Sequence, residues 1–158
     1  MKKYLLLLSL FVISLSACKK GDIVSEQAAV DDAKIQAYIK ANNINATKDP
    51  SGIYYQILIP GTGPYPVVAS NSTTISSTVQ VSYTGSFLNG QVFNPTATST
   101  LILSGFTSGF QIGMEHINKG GRILLIIPSA LGYGAAGSGG PVPPNAVLVF
   151  KVDLIGFY

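Results

Sequence analysis

Apolar residues occupy alternate positions along much of the chain after residue 50, and this pattern predicts strands. It covers residues 53–59, 79–83, 101–103 and 148–154. Successive side chains of a strand point to opposite faces of a sheet, so each segment presents one apolar face to a core. The continuous apolar run at residues 123–127 predicts a central strand that is buried on both faces.

A helical period appears before these strands. Residues 30–39 contain no Gly or Pro, and Ile35, Tyr38 and Ile39 fall on one face of a helix. We expect this helix to stop near Asn42. It should dock on another element, because an isolated helix of about 15 residues is marginally stable in water.

A second helical period interrupts the strands. Phe110, Met114 and Ile117 recur at i, i+4 and i+7, which predicts a short helix that Ser108 caps. The fold class is therefore α+β: an antiparallel sheet with one short inserted helix, preceded by a short N-terminal helix.

Composition changes abruptly at residue 50. All nine prolines lie from Pro50 onward, and sixteen of the seventeen glycines lie from Gly52 onward. Turn residues at this density are typical of a strand-rich domain. We place that domain at residues 51–158 and the preceding helix and linker at residues 27–50.

The first eighteen residues have the pattern of an export signal. Two lysines precede an apolar stretch from Leu5 to Leu15, which is shorter than the roughly 20 residues that a membrane-spanning helix needs. Small residues then stand immediately before Cys18, as in a bacterial lipobox. We predict a lipoprotein signal peptide at residues 1–17, lipidation of Cys18, and a lipid-anchored polar leash at residues 18–26. An ordinary signal peptide followed by a coincidental cysteine is the alternative.

Charge and reactive side chains argue against several functions. The chain has 10 Lys and Arg against 7 Asp and Glu, and cleavage after residue 17 would leave 8 against 7. Because nucleic-acid binding needs a clustered basic face, we expect no nucleic-acid partner. The single Cys and the single His, His116, cannot form an intramolecular disulfide or a multi-histidine metal site, so we expect no metal.

One glycine motif suggests a dinucleotide site and is rejected on its context. Residues 132–137 match GxGxxG, and residues 138–144 that follow are rich in Gly and Pro. A dinucleotide site requires a helix directly after the glycines, which this composition does not allow. We expect no cofactor.

Eight segments, in order, make the chain similar to the FK506-binding-protein (FKBP) family of peptidyl-prolyl isomerases. They are spread along nearly the whole domain, at residues 51–57, 60–63, 79–85, 88–93, 109–113, 120–122, 127–134 and 142–150. The resemblance implies a twisted antiparallel sheet wrapped around one short helix. The helix before the domain looks like the extension of lipoprotein members of that family.

The resemblance also implies a proline-binding hollow between the sheet and the short helix. The catalytic residues that it assigns are Tyr83 and Phe93 as walls, Phe110 as floor, Tyr133 as a hydroxyl donor and Phe150 at the back. The substrate-binding residues are Asn94, Phe106, Thr107 through its backbone N–H, and Val142 at the rim. Phe106 and Thr107 correspond to the Val-Ile pair that precedes the helix of the family. The other departures from the family pattern are Phe110 in place of Trp, Asn94 in place of Asp, and Ser99 and Leu101 where aromatic residues are common. We therefore expect a wider, less aromatic hollow and weaker activity.

The resulting functional prediction is an isomerase of Xaa-Pro bonds that assists folding in the bacterial cell envelope. Its partners would be proline-containing peptides, unfolded exported proteins and a membrane, through the lipid on Cys18. We expect a monomer anchored to the outer membrane, facing the periplasm or the surface. One alternative is a catalytically weak or inactive FKBP-like module that binds an envelope partner through the hollow or through the loop at residues 70–78. The other is a lipoprotein that captures a small apolar ligand.

Overall fold

The computed structural model describes residues 20–66 and 78–158. The elements, in order, are α1 Lys20–Ala41, β1 Thr47–Lys48, β2 Tyr54–Ile59, β3 Thr78–Phe87, β4 Val92–Ile102, α2 Ser108–Met114, β5 Arg122–Ile127 and β6 Leu148–Phe157. The strands pair antiparallel in one sheet, in the order β1-β2-β5-β6-β3-β4. The α+β class is confirmed. The predicted signal peptide, Cys18 and nearly all of the 70–78 loop lie outside the described residues.

The alternating segments form strands, with two differences. The prediction for Leu103 is wrong: this residue lies in a single 3₁₀ turn, Leu103–Gly105, directly after β4. It has no exposed surface there, so the apolar position serves the core without belonging to a strand. The second difference is β1, in which Thr47 of the predicted linker pairs with Tyr55 of β2.

The prediction of a central strand covered on both faces is confirmed by β5, which lies between β2 and β6. Ile123, Leu125 and Ile127 belong to the core on the inner face of the sheet. Ile126 belongs to a second apolar cluster on the outer face.

Helix α2 covers the inner face at very short range. A Cβ at Gly109 would lie 2.3 Å from Cγ2 of Ile127, and one at Gly113 would lie 2.5 Å from Leu125. Glycine at these positions therefore lets the helix sit directly on β5. The prediction that Ser108 caps the helix is wrong, because Thr107 is the extended N-cap residue and no side chain bonds to the helix start there.

Helix α1 covers the outer face. Ile35 is fully buried against Tyr54, Ile126 and Val149, which confirms that this helix needs a partner surface. The helix ends at Ala41, as expected, but it begins at Lys20. Residues 20–26, where the composition predicts a polar leash, are therefore helical; Lys20 and Glu26 are good helix formers, and the segment contains no proline.

Hydrogen bonds supplement this apolar contact. The Asp32 carboxylate accepts from the hydroxyl of Tyr54 at 2.8 Å and from Nζ of Lys48 at 2.5 Å. Lys48 first, and Tyr54 second, hold the pKa of Asp32 below its ordinary value. No helix within the described part of the chain has the length and apolar character needed to cross a membrane.

Candidate active site

A cavity of about 710 Å³ opens at one end of the inner face. Strands β3 and β6 contribute one aromatic residue each, and β4, the turn before α2 and the loop after β5 supply the rest. The lining residues are Tyr83, Phe93, Asn94, Thr100, Leu101, Ile102, Gly105, Phe106, Thr107, Tyr133 and Phe150. The described lining contains no Asp, Glu, Lys, Arg or His and is largely apolar.

Aromatic rings in edge-to-face contact hold the cavity open. Tyr83 meets Phe106 at a centroid distance of 5.7 Å and an interplanar angle of 79°. Phe93 meets Phe150 at 5.7 Å and 87°. These are favourable aromatic geometries, so the walls have a defined shape in the absence of substrate.

Phe110 does not form the floor that the resemblance assigns to it. It has no exposed surface, and the ring of Phe106 stacks on it at 4.2 Å and 10°. The exposed floor is therefore Phe106, because this residue carries a ring where the family commonly has a smaller aliphatic side chain. Phe106, which lies between Phe110 and the cavity, supplies the aromatic surface expected from Phe110. The lining of the cavity contains five aromatic residues.

Val142 also differs from its predicted position at the rim. It is 4 % exposed and belongs to the inner core, outside the lining of the cavity. The backbone N–H of Val142 donates to Oγ of Ser138 at 3.1 Å, and the Val142 carbonyl accepts from the backbone N–H of Ser138 at 3.0 Å. These bonds close the loop before β6, and the Val142 side chain packs in the inner core.

Gly85 allows the wall rings to pack against β3. A Cβ at this position would lie 2.6 Å from the ring of Phe93 and 2.9 Å from the ring of Phe150. Any side chain larger than hydrogen would push at least one of these rings from its place. The glycine that follows Tyr83 and Thr84 is thus a shape determinant of the cavity.

Polar groups at the cavity are few. Nδ2 of Asn94 donates to the Tyr83 hydroxyl at 3.4 Å, so the amide keeps a contact with the site in place of a carboxylate. Nε2 of Gln111 donates to the carbonyl of Phe106 at 2.8 Å and fixes the chain before α2. Oγ1 of Thr107 is buried without a hydrogen-bond partner among the described residues.

The side chain of Tyr133 is 41 % exposed at the cavity edge, where its hydroxyl can reach a bound peptide. The nearby backbone N–H of Thr107 has no acceptor within the described segments, although the Thr107 carbonyl accepts from Gln111. Both residues line the cavity, so two hydrogen-bond donors are available beside its aromatic rings.

The single histidine lies outside this site. His116 stacks on Tyr55 at 4.0 Å, and its Nε2 lies 3.0 Å from the Asp49 carboxylate. Hydrogen bonds from Ser51, with a smaller contribution from His116, lower the pKa of Asp49. These contacts give His116 a structural role. Residues 20–66 and 78–158 hold no cluster of His, Cys, Asp and Glu that could bind a metal.

Sequence reasoning missed Thr100, Ile102 and Gly105 as lining residues and treated Leu101 only as a departure from the family. Leu101 and Ile102 are 38 % and 58 % exposed despite being large and apolar. Two adjacent apolar residues at the end of β4, after the mostly polar residues 94–100, break the period of two. That break was the available signal that both faces are used there.

Comparison with known proteins shows which family the chain resembles in sequence. Residues 70–155 match the family model of FKBP-type peptidyl-prolyl cis-trans isomerase. The "Probable FKBP-type peptidyl-prolyl cis-trans isomerase" of Haemophilus influenzae is 30 % identical over 145 residues, which cover 86 % of this chain and 55 % of the relative. The "Outer membrane protein MIP" of Legionella longbeachae is 32 % identical over 143 residues, covering 87 % and 58 %. The chain therefore spans little more than half the length of these curated relatives.

Solved structures agree. The crystal structure of FkpA from Escherichia coli superposes with a TM-score of 0.66 at 30 % identity, over 87 % of this chain and 63 % of that one. The peptidyl-prolyl cis-trans isomerase of Pseudomonas syringae has a TM-score of 0.69 at 25 % identity, over 84 % and 94 %. By sequence and by fold, the chain belongs to the FKBP-type peptidyl-prolyl cis-trans isomerase family.

Proposed function

We propose that this protein catalyses cis-trans isomerisation of Xaa-Pro bonds, and that its substrates are exported proteins that fold in the cell envelope. The observation that carries the proposal is the uncharged aromatic cavity with Phe106 as its floor. A proline ring is a compact apolar group that such a surface can enclose. The membership of the family supports the same activity.

The chemistry needs no ionised group. Rotation about a peptide bond costs about 18–20 kcal/mol because the planar amide is stabilised by resonance. The twisted amide has lost that resonance and is less polar than the planar one, so an apolar cavity favours the transition state over the substrate. Catalysis by this route matches a lining without acids, bases or nucleophiles.

Every predicted site residue except Val142 takes a role in this scheme. Tyr83 and Phe93 enclose the proline ring, and Phe150 closes the back of the cavity. Phe106 contacts the substrate directly, whereas Phe110 supports Phe106 from below. The remaining contacts are polar: Thr107 N–H and the Tyr133 hydroxyl bind backbone carbonyls on either side of the proline, and Asn94 orients the Tyr83 hydroxyl. Such fixed donors hold the flanking chain while the central bond rotates.

We also propose that the mature protein is anchored to the outer membrane by lipid on Cys18 and acts there as a monomer. The export pattern of residues 1–17 supports this location, and one relative is named an outer membrane protein. Two or more acyl chains give a stable anchor, whereas one chain gives marginal binding. Mass spectrometry of the protein from a bacterial membrane fraction, beside a Cys18→Ser variant, tests this: the acylated N-terminal peptide should be found only with Cys18.

A second candidate function has one observation in its favour. The ring of Phe106 fills space above Phe110, so a bound proline would sit higher in this cavity than directly on Phe110. A non-catalytic module that binds proline-containing segments would use the same surface. It would show saturable binding without turnover.

The deciding experiment is cis-to-trans turnover of a short Xaa-Pro peptide by the purified protein. Phe93→Ala removes a wall ring and should lower kcat/KM by about tenfold or more, because shape complementarity to the twisted amide is lost. Val92→Ala is the matched control, since Val92 is the preceding residue of β4 and is half exposed away from the lining. A folded protein that gives only the uncatalysed rate, yet binds the peptide, would favour the second function.

A further inference from the structure

A buried carboxylate on the outer face of the sheet accepts three hydrogen bonds. Asp31 of α1 is 1 % exposed. Its Oδ2 accepts from the backbone N–H of Ser129 at 2.9 Å and from the Ser129 hydroxyl at 2.6 Å. Its Oδ1 accepts from Nε2 of Gln27 at 2.8 Å. A buried carboxylate is costly unless hydrogen bonds satisfy it, so this helix is bound specifically to Ser129.

Ser129 begins the loop that carries Tyr133. This residue is itself 1 % exposed and starts the 3₁₀ turn Ser129–Leu131 directly after β5 and Pro128. Gly132 N–H donates to the Ser129 carbonyl at 3.0 Å. This bond closes the turn one residue before Tyr133, so a displacement of Ser129 is passed along the turn to Tyr133.

The loop is clamped from two sides. On the inner side, a Cβ at Gly109 of α2 would lie 3.1 Å from the carbonyl oxygen of Leu131, so helix and loop are in direct contact. On the outer side, the Asp31 carboxylate is the polar contact with α1. The apolar docking of Ile35 could hold α1 on the sheet without defining where this loop lies, because apolar packing is not directional.

We propose that Asp31 is a positioning residue for isomerisation: by holding Ser129, it sets the height of Tyr133 at the cavity edge. Helix α1 thereby contributes to a site on the opposite face of the sheet. The inference rests on the proposed function, because Tyr133 must bind substrate for its position to matter. It gives the helix that precedes the matched domain a catalytic consequence as well as a structural one.

The test uses the full chain and two neighbouring acids of the same helix. Asp31→Ala should lower kcat/KM for a short Xaa-Pro peptide by roughly tenfold, the scale of effect that small displacements of substrate-binding groups produce. Asp31→Asn keeps an acceptor oxygen and should restore most of the activity. Asp32→Ala is the matched control, since the Asp32 carboxylate accepts from Tyr54 and Lys48, which lie outside the loop.

A double-mutant cycle separates positioning from general destabilisation. If Asp31 acts through Tyr133, then Asp31→Ala should cause little further loss of kcat/KM in a Tyr133→Phe protein. If Asp31→Ala does not fold, Ser129→Ala removes only the hydroxyl donor and is put through the same cycle, with a smaller effect in the same direction.

Three results would overturn the inference. They are equal losses for Asp31→Ala and Asp32→Ala, additive losses in the cycle, and unchanged kcat/KM in a folded Asp31→Ala protein. A wild-type chain without turnover would remove the proposed function, and the inference with it. If the wild-type chain shows turnover and Asp31→Ala does not change it, only the inference is contradicted.

Discussion

The two faces of the sheet are covered by helices that bind in different ways. On the inner face, α2 sits on β5 through glycines, and aromatic rings such as Phe110 fill the remaining space. On the outer face, α1 buries Ile35 and adds a hydrogen-bonded carboxylate, Asp31, at the same interface. The inner contact depends on the fit of apolar side chains. The outer contact depends on such a fit and also on directional hydrogen bonds.

This difference explains where each face can tolerate change. Edge-to-face rings define the cavity only if every ring keeps its place, so small volume changes on the inner face should alter activity. The outer face contributes stability through Ile35 and loop position through Asp31, and these two contributions are separable. The predictions below test that separation, beginning with the largest expected effect.

Phe110→Ala should be the most damaging single change to the inner face. The ring is fully buried and supports Phe106 from below, so its removal should cost about 3–5 kcal/mol of the free energy of unfolding. Activity of the remaining folded protein should also fall, because the floor loses its support. Urea unfolding and peptide turnover measure the two effects. Full activity per folded molecule would show that Phe106 holds its position alone.

Ile35→Ala should be nearly as damaging to stability without changing the site. Its side chain is fully buried on the outer face, so truncation should cost about 2–5 kcal/mol. Turnover per folded molecule should stay at the wild-type value, since Asp31 still holds the loop. Val30→Ala on the same helix is the control, because Val30 is 42 % exposed and should change stability by less than about 0.5 kcal/mol. A loss of turnover per folded molecule in Ile35→Ala would show that the stability provided by α1 and its effect on the loop cannot be separated.

Gly85→Ala should have a smaller effect on stability and a clear effect on activity. The new methyl group would meet Phe93 and Phe150 well inside contact distance, and such overpacking costs about 1–3 kcal/mol. The displaced rings should lower kcat/KM severalfold. Gly140→Ala is the matched control, because a Cβ there has no neighbour closer than 3.9 Å and the residue has no positive φ. A wild-type kcat/KM in Gly85→Ala would mean that the rings of Phe93 and Phe150 can shift without any effect on catalysis.

The smallest expected effect concerns Asp49, which lies in neither interface. The pKa of Asp49 is lowered chiefly by Ser51 and also by His116, so its folded state favours the charged form. The corresponding stability is present above the ordinary value of 3.8 and is lost as the pH falls through the lowered folded pKa. Asp49→Asn should therefore remove less than about 1 kcal/mol at neutral pH and flatten the acid limb of a stability–pH curve. An unchanged acid limb would contradict this assignment.

Much of the fold could be predicted because it depends on local pattern. The strands follow from alternating apolar positions, and Ile35 and Tyr38 mark the docking face of α1 through their helical spacing. Leu103 shows the limit of this reasoning: its burial was correctly implied, but a strand and a 3₁₀ turn can both bury a residue at that spacing. Periodicity reports which positions are apolar, and the backbone conformation between them is set by neighbours.

The candidate site could be predicted as a set of residues but not as an arrangement. Tyr83, Phe93 and Phe150 line the cavity where the family resemblance places them. The order of Phe106 and Phe110 could not be predicted, because both rings belong to the same short stretch and only packing decides which one covers the other. Val142 could not be placed for a similar reason: it stands in a Gly- and Pro-rich loop, and only tertiary packing puts its side chain in the inner core.

The sequence by itself determined the strand pattern, the two helices, the family and the aromatic character of the site. These follow from side-chain volume, polarity and spacing along the chain, which act locally or through motif similarity. Tertiary structure alone decided that Phe106 is the exposed floor, that Gly85 shapes the wall, and that Asp31 binds Ser129 across 98 residues of sequence. Contacts between residues so far apart in the sequence form only when the helices pack on the two faces of the sheet, so no local pattern specifies them.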